Sequence, residues 1–410
     1  MPDPSSPASP PSSGQPQTYP IGNAAATPSL MQKILKRIDD KGPLDFAEFM
    51  THALYDPKLG YYARNTSQIG RKGDFFTSVS TGPLFGELLA RRFIRHWHKI
   101  GKPQRWRVIE AGAHNGTLAC DILTAIQKIS PQAATTLEYA IAEPIESLRS
   151  AQATKLAAFA SSIRLVADTL ELADDRLPGI AFGNEVLDAL PFHLVERRDH
   201  SWRELLVSHN ADGLLTWVSQ DAIDPALNCA LASLGENFSD AHRSEIRTNF
   251  ENFLKPLSAA LVHGLMIWID YGFASADLHH PLRHSGTLRT FRRHRADDDP
   301  LADPGEKDIT AHVDFSDVAR AAMKLGGKAI EFHNQGAWLT EIARDWLTSR
   351  EGNLTANEAR QFQTLTHPAQ LGGKFQVLEI SWDPQSTSKD PASLARRLFP
   401  DEQAPHQAND

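Results

Sequence analysis

The spacing of apolar positions changes twice along the chain. Leu30–Ile38 and Asp45–Tyr55 place apolar residues three and four apart, which predicts two short amphipathic helices. A Gly- and Tyr-rich turn, GYYAR, and the segment GDFFTS at 73–78 follow. Pro83 then opens a helical pattern that runs to about Ile100 and stops at Gly101. From Arg105 the rhythm shortens. WRVIE at 106–110 is strand-like and ends in Glu110, AGAHNG is a turn, and 117–129 sets Leu118, Ile122, Leu123, Ile126 and Ile129 on one helical face. LEYAIAE (137–143), a helix at Ile145–Ala158, IRLVAD (163–168) and GIAFGNE (179–185) continue the alternation. Strands alternating with helices imply a parallel sheet with right-handed crossovers.

The alternation then breaks. Residues 186–240 hold short strand-like pieces, FHLVERR, WRELLVS and GLLTWVS, and a helical period returns over Ser244–Leu261. GLMIWIDYG (264–272) is an apolar strand carrying Asp270, followed by a polar insertion over Phe273–Asp308. ITAHVDF, a helix near Ser316–Leu325, AIEFHNQG, a helix near Ala337–Leu347 with Trp338 and Trp346 in the core, and the strand KFQVLEISW (374–382) complete the pattern. The expected organisation is a disordered tail over 1–28, where eight of 26 prolines lie, and a helical cap over 29–104. A nucleotide-binding α/β domain spans 105–382, with insertions at about 186–240 and 273–308, and a polar tail covers 383–410.

Composition narrows the partners. Forty-two basic against 50 acidic residues give a net charge of −8 over 410 residues, so no nucleic-acid partner is expected. Two cysteines build neither a disulfide framework nor a four-thiolate zinc site. The most apolar stretch, Leu257–Ile269, falls short of the ~20 residues that span a bilayer, so no membrane insertion is expected. The N-terminal segment has no basic and apolar signal pattern and no arginine, which makes the default expectation a cytoplasmic protein.

The chemistry gathers at strand ends. Between Glu110 and the next helix, Gly112 permits a tight turn and Gly116 a close backbone approach, and the helix N-terminus offers N–H groups to an anion. The turn lacks the GxGxxG of nicotinamide-dependent oxidoreductases and looks more like that of S-adenosylmethionine-dependent methyltransferases. Glu143 at the second strand end suits ribose hydroxyls, and Asp168 at the third lies where an adenine edge would be. After the fourth strand, Asn184 is placed to orient a substrate nitrogen, and Glu185 or Asp188 to pair with a cation.

Nearly the whole ordered chain resembles the MidA-type methyltransferases, a family of bacterial and mitochondrial proteins. The segments that carry the resemblance are FAEFMTHALYDPKLGYYAR, GDFFTS, PLFGELLA, VIEAGAHNGTLACDIL, AEPIESLRSAQ, GNEVLDALPFHLV, IDYGF, GTLRTFRRHRADDDPLADPGEKDITAHVDF and LGGKFQVLEI. The resemblance implies an α/β fold with a Rossmann-like class I methyltransferase sheet, an N-terminal helical cap and inserted lid elements. It implies S-adenosyl-L-methionine as cofactor and an arginine of a protein as acceptor, the mitochondrial target class being a respiratory quinone-reductase subunit. It makes Glu185 the first catalytic candidate, with Asp188 and Asp74 behind it. The cofactor candidates are Thr77, Ser78, Glu110, Gly112, Ala113, His114, Gly116, Glu143, Asp168 and Asn184, with Thr77 and Ser78 for the methionyl carboxylate or amine. The family commonly shows E-x-G-P-G-x-G-x-L at the first turn. Here Ala113 and His114 replace the proline and the second glycine, which motivates a rival reading as a non-catalytic binding or assembly factor on the same fold.

Overall fold

The computed structural model describes residues 29–64, 77–292, 295–297 and 299–400; the expected tail over 1–28, Asp74 and residues 401–410 lie outside them. The central sheet has seven main strands, labelled here in chain order: β1 Trp106–Ala111, β2 Leu137–Ala142, β3 Ile163–Val166, β4 Leu177–Asn184, β5 Leu261–Phe273, β6 Lys328–Asn334 and β7 Phe375–Ser381. Their order is β3-β2-β1-β4-β5-β7-β6, with the two-residue strand Val313–Asp314 paired to β5. The pairs from β3 to β5 are parallel, and β7 runs antiparallel to both β5 and β6. Strand order reverses between β1 and β4, and open α/β sheets bind ligands beyond the carboxyl ends of strands at such a reversal.

Both faces of this sheet are covered, so its inner strands read as continuous apolar runs. The two-residue period of β5 sorts its side chains between two cores. Leu265, Ile267 and Ile269 join Phe93, Ile122 and Leu339 from the helices Leu84–Lys99, Thr117–Ile129 and Gln335–Ile342. Met266 and Trp268 join Leu254, Val318 and Leu398 from the helices Phe250–Ala259, Phe315–Lys324 and Pro391–Leu398.

A third core ties the N-terminal helices to the first insertion. Strands His193–Arg198, Ser201–His209, Leu215–Gln220 and Arg243–Ile246 form an antiparallel sheet, and Leu44–Asp45 from the N-terminal segment adds an edge to it. Ile34, Phe46 and Phe49 pack there against Leu194 and Val207. The second insertion holds a three-stranded sheet of Arg289–Arg292, Arg295–Asp297 and Asp308–Thr310.

Several local expectations are corrected. Residues 243–246 are a strand, because they complete the ladder on His193–Arg198; the helix begins only at Phe250. The helix expected over 337–347 is two, Gln335–Ile342 and Arg344–Ser349, with Trp338 and Trp346 both buried. The polar C-terminal stretch contains an ordered helix. Asp390 caps its N-terminus, Pro391 occupies the first turn, and Leu394 and Leu398, one turn apart, dock on the sheet. The Ser316 hydroxyl donates to the Leu398 carbonyl. No helix of the described residues is long and apolar enough to cross a membrane.

Candidate active site

The turn after β1 is built around two carboxylate-bearing strands and a backbone of left-handed residues. Glu110 is buried, and the Tyr139 hydroxyl donates to its Oε2 at 2.7 Å. Burial pushes the Glu110 carboxyl up to about 7, against the stabilising effect of that hydrogen bond. Gly112 has φ +68°, and a Cβ there would meet Val186 Cγ2 at 2.4 Å, so this position needs glycine for both hand and space. Gly116, at φ +76°, precedes the Thr117–Ile129 helix. His114 sits at φ +44°, a region that costs a side-chain-bearing residue about 1–2 kcal/mol. Its carbonyl is held by Gln152 Nε2 at 2.7 Å. The departure at His114 therefore puts a side chain on a position whose backbone favours glycine. We expect His114→Gly to raise stability by roughly 0.5–1 kcal/mol, the strain relieved less the entropy glycine loses on folding. Chemical denaturation checks this, and a lower midpoint would refute it.

Beyond β2, Glu143 is buried and accepts from Ile145 N at 2.9 Å through Oε1. Desolvation raises its pKa, with the donors at Ile145 and Gln152 opposing. Asp168 behaves differently. β3 stops at Val166, and Asp168 is exposed and accepts from Leu170 N at 2.9 Å as the cap of the short helix Thr169–Leu172.

The turn after β4 concentrates charge. Glu185 has φ +56°, its N–H donates to Ile269 O at 2.9 Å, and Asn184 Nδ2 donates to its Oε1 at 2.8 Å. Strain of this kind persists where surrounding structure over-determines it, commonly at active sites. Asp270, from β5, holds the turn: its Oδ2 accepts from the N–H groups of Val186, Leu187 and Asp188 at 3.0, 2.8 and 3.2 Å. Burial, then repulsion from Asp188, lifts Glu185 to about 8; burial, then Glu185, lifts Asp270 to about 7. Asp188 is held well above the ordinary carboxylate range by burial and by Asp270 and Asp308. The buried cation nearby, Arg247, donates to the carbonyls of Asp188, Leu190, Ala311 and His312 at 2.6–3.1 Å and lowers the Asp188 shift only in part.

Glu110, Glu143, Glu185 and Asp188 share one cavity of about 700 Å³ beyond the carboxyl ends of β1, β2, β4 and β5. Glu110, Gly112, Ala113, His114 and Glu143 line its β1–β2 side; Asn184, Glu185, Asp188 and Tyr271 line its β4–β5 side. Thr77 also reaches it. Three expected residues do not line it. Ser78 is buried and donates from Oγ to Gln335 Oε1 at 3.0 Å, Asp168 caps its helix while its neighbour Thr169 lines the cavity, and Gly116 lies behind the lining residues Asn115 and Thr117. Other lining residues lie in segments that carry the resemblance but are not among the expected site residues: Tyr55 and Tyr62 from the N-terminal helices, and Asp308 from the second insertion. His312 also lines the cavity. It stacks on Tyr271 with ring centroids 6.3 Å apart, and burial lowers its pKa to about 4.

A glycine-bent turn after β1, a buried acid after β2 and a switch-point cavity define a Rossmann-like methyltransferase. The donor set fits S-adenosylmethionine: Glu143 suits the ribose diol, and the acids suit a ligand with a sulfonium and an ammonium. Residues 88–332 match the family described as "Putative S-adenosyl-L-methionine-dependent methyltransferase", and the chain belongs to that family. It is a methyltransferase with S-adenosylmethionine as its cofactor. A Burkholderia thailandensis structure with bound S-adenosyl-homocysteine is similar, with a TM-score of 0.78, 29% identity, and 88% of this chain and 93% of that one covered. Among curated relatives, a Drosophila melanogaster protein arginine methyltransferase is 27% identical over 86% of this chain and 84% of its own. The human protein arginine methyltransferase NDUFAF7 is 28% identical over 86% and 83%. These relatives are named as mitochondrial, which overturns the expectation of a cytoplasmic protein.

Proposed function

We propose that this chain methylates an arginine side chain of a protein. The observation that supports this reading is a group of carboxyls on one cavity, half-buried Glu185 with buried Asp188 and Asp308, where desolvation and mutual repulsion hold Glu185 and Asp188 protonated beyond their ordinary range. An incoming guanidinium, charged at neutral pH, relieves that repulsion. Bound S-adenosylmethionine supplies an already activated methyl group, so the protein's task is in-line positioning. Glu185 binds the guanidinium, draws its charge to the far nitrogens and takes up the proton released as the new N–C bond forms. Asp188 is the second carboxylate of the clamp, and Asp270 fixes the turn that carries both. On the cofactor side, Thr77, Glu110, Gly112, Ala113, His114, Glu143 and Asn184 hold the donor. The names of the curated relatives support an arginine acceptor, and a respiratory quinone-reductase subunit is the partner class we favour.

The test is transfer of labelled methyl groups from S-adenosylmethionine by the purified chain into a protein extract of cells lacking it, read by mass spectrometry. Label on arginine nitrogens is the expected result. Label confined to carboxyl, lysine or hydroxyl groups, or none, rejects the reading.

A further inference from the structure

The GYYAR turn plays no part in the chemistry described so far, yet its second tyrosine faces the acceptor side of the cavity. Tyr55 and Tyr62 lie ring against ring, centroids 5.4 Å apart and tilted by 42°. Their hydroxyls go to different walls. Tyr55 donates to the carbonyl of Ala189, the residue after Asp188, at 2.9 Å. Tyr62 donates to Oδ1 of Asp308 at 3.0 Å, across 246 residues of sequence. The same Oδ1 accepts from Ile309 N at 3.0 Å, so two donors fix the plane of that carboxylate. Burial raises the pKa of both tyrosines, so both stay protonated donors.

The backbone of these two walls is already joined without the tyrosines. Ala311 N donates to Asp188 O at 3.1 Å, and Arg247 bridges the carbonyls of Asp188, Ala311 and His312. The Tyr62 hydroxyl therefore acts on a side chain rather than on the path of the chain. Asp188 and Asp308 repel one another, and a planar, forked cation needs both carboxylates held at a set orientation.

We propose that the Tyr55–Tyr62 pair is a positioning element for the acceptor guanidinium: Tyr62 aims Asp308 from the insertion, and Tyr55 steadies the wall that carries Asp188, so that the N-terminal cap sets acceptor affinity. This rests on the arginine reading above. Asp308 is then a third carboxylate of the acceptor clamp, contributed by the second insertion.

The experiment uses the full chain, S-adenosylmethionine and, as probe acceptor, a peptide with one arginine flanked by glycines. Tyr62→Phe keeps the ring and removes the donor. It is expected to raise the peptide KM by ~10-fold, with kcat changed far less, and to leave the calorimetric Kd for S-adenosyl-homocysteine unchanged. Asp308→Asn is expected to raise KM at least as much, and the double variant to match Asp308→Asn alone, because Tyr62 acts through Asp308. Tyr55→Phe, which leaves Asp308 untouched, is the second variant should Asp308→Asn fail to fold; it too is expected to raise KM. An unchanged KM in Tyr62→Phe, or additive effects in the double variant, overturns the inference. A KM effect matched by an equal loss of S-adenosyl-homocysteine binding also overturns it, since a general structural defect would produce that. No transfer to the peptide by the unmodified chain overturns the arginine reading, and this inference with it.

Discussion

Glu185→Gln is expected to lower kcat by about 10²–10⁴-fold while leaving the affinity for S-adenosyl-homocysteine within about twofold, the range typical for loss of a positioned proton acceptor. The glutamine keeps the size of the side chain and a carbonyl oxygen for Asn184 Nδ2, so the turn held by Asp270 stays in place. What disappears is the group proposed to carry negative charge and to take the acceptor's proton. The pH dependence follows from the same residue. In the free chain Glu185 titrates near 8, so kcat/KM of the unmodified protein falls as pH drops below that value, because the protonated acid does not pair with a guanidinium. Stability moves the other way. The folded pKa lies above the ordinary 4.5, so the contribution of Glu185 is fully present below about 4.5 and is lost as pH rises through about 8. Glu185→Gln should therefore melt higher than the unmodified chain at pH 8.5, and that gap should close at pH 5. A gap independent of pH, or full activity in the variant, would reject this role.

The residues that were legible from sequence share one property: their position follows from a local pattern. Glu110 and Glu143 close apolar strand runs, and such a residue lands at the carboxyl edge of a parallel sheet wherever the strand sits in the order. Gly112 and Glu185 lie in turns directly after a strand, so the pattern that marks the strand places them too. Asp168 shows how this reasoning fails. The strand run looked continuous to residue 168, but an acid followed three residues later by Glu171 is also a capping box, and here the cap ends the strand early. The strand at Arg243–Ile246 was hidden because its partner, His193–Arg198, lies some fifty residues away, and pairing overrode the helical spacing. The acceptor wall was hidden for the same reason on a larger scale. Tyr62 comes from the cap and Asp308 from the second insertion, 246 residues apart, and no spacing along the chain encodes their meeting.

The complementary experiment separates donor binding from chemistry. Glu143→Ala is expected to weaken S-adenosyl-homocysteine binding by about 100-fold or more, because a carboxylate hydrogen bond to each of two ribose hydroxyls would be lost and such bonds contribute ~1.5–3 kcal/mol each. Glu143 is set for this by its surroundings. It lies at the end of β2, buried against the cavity, and Ile145 N holds Oε1 while Gln152 Nε2 approaches Oε2 at 3.5 Å. Burial raises its pKa, so the ligand's hydroxyls supply donors that favour the charged form and offset the desolvation. Glu143→Gln keeps an acceptor for Ile145 N and should lose less than alanine does. At saturating S-adenosylmethionine both variants should recover most of the unmodified kcat, because the acids around the acceptor are untouched. This is the reverse of the Glu185→Gln pattern, which spares binding and removes turnover. If Glu143→Ala binds S-adenosyl-homocysteine as tightly as the unmodified chain does, the ribose does not lie at β2, and the donor must be placed elsewhere in the cavity.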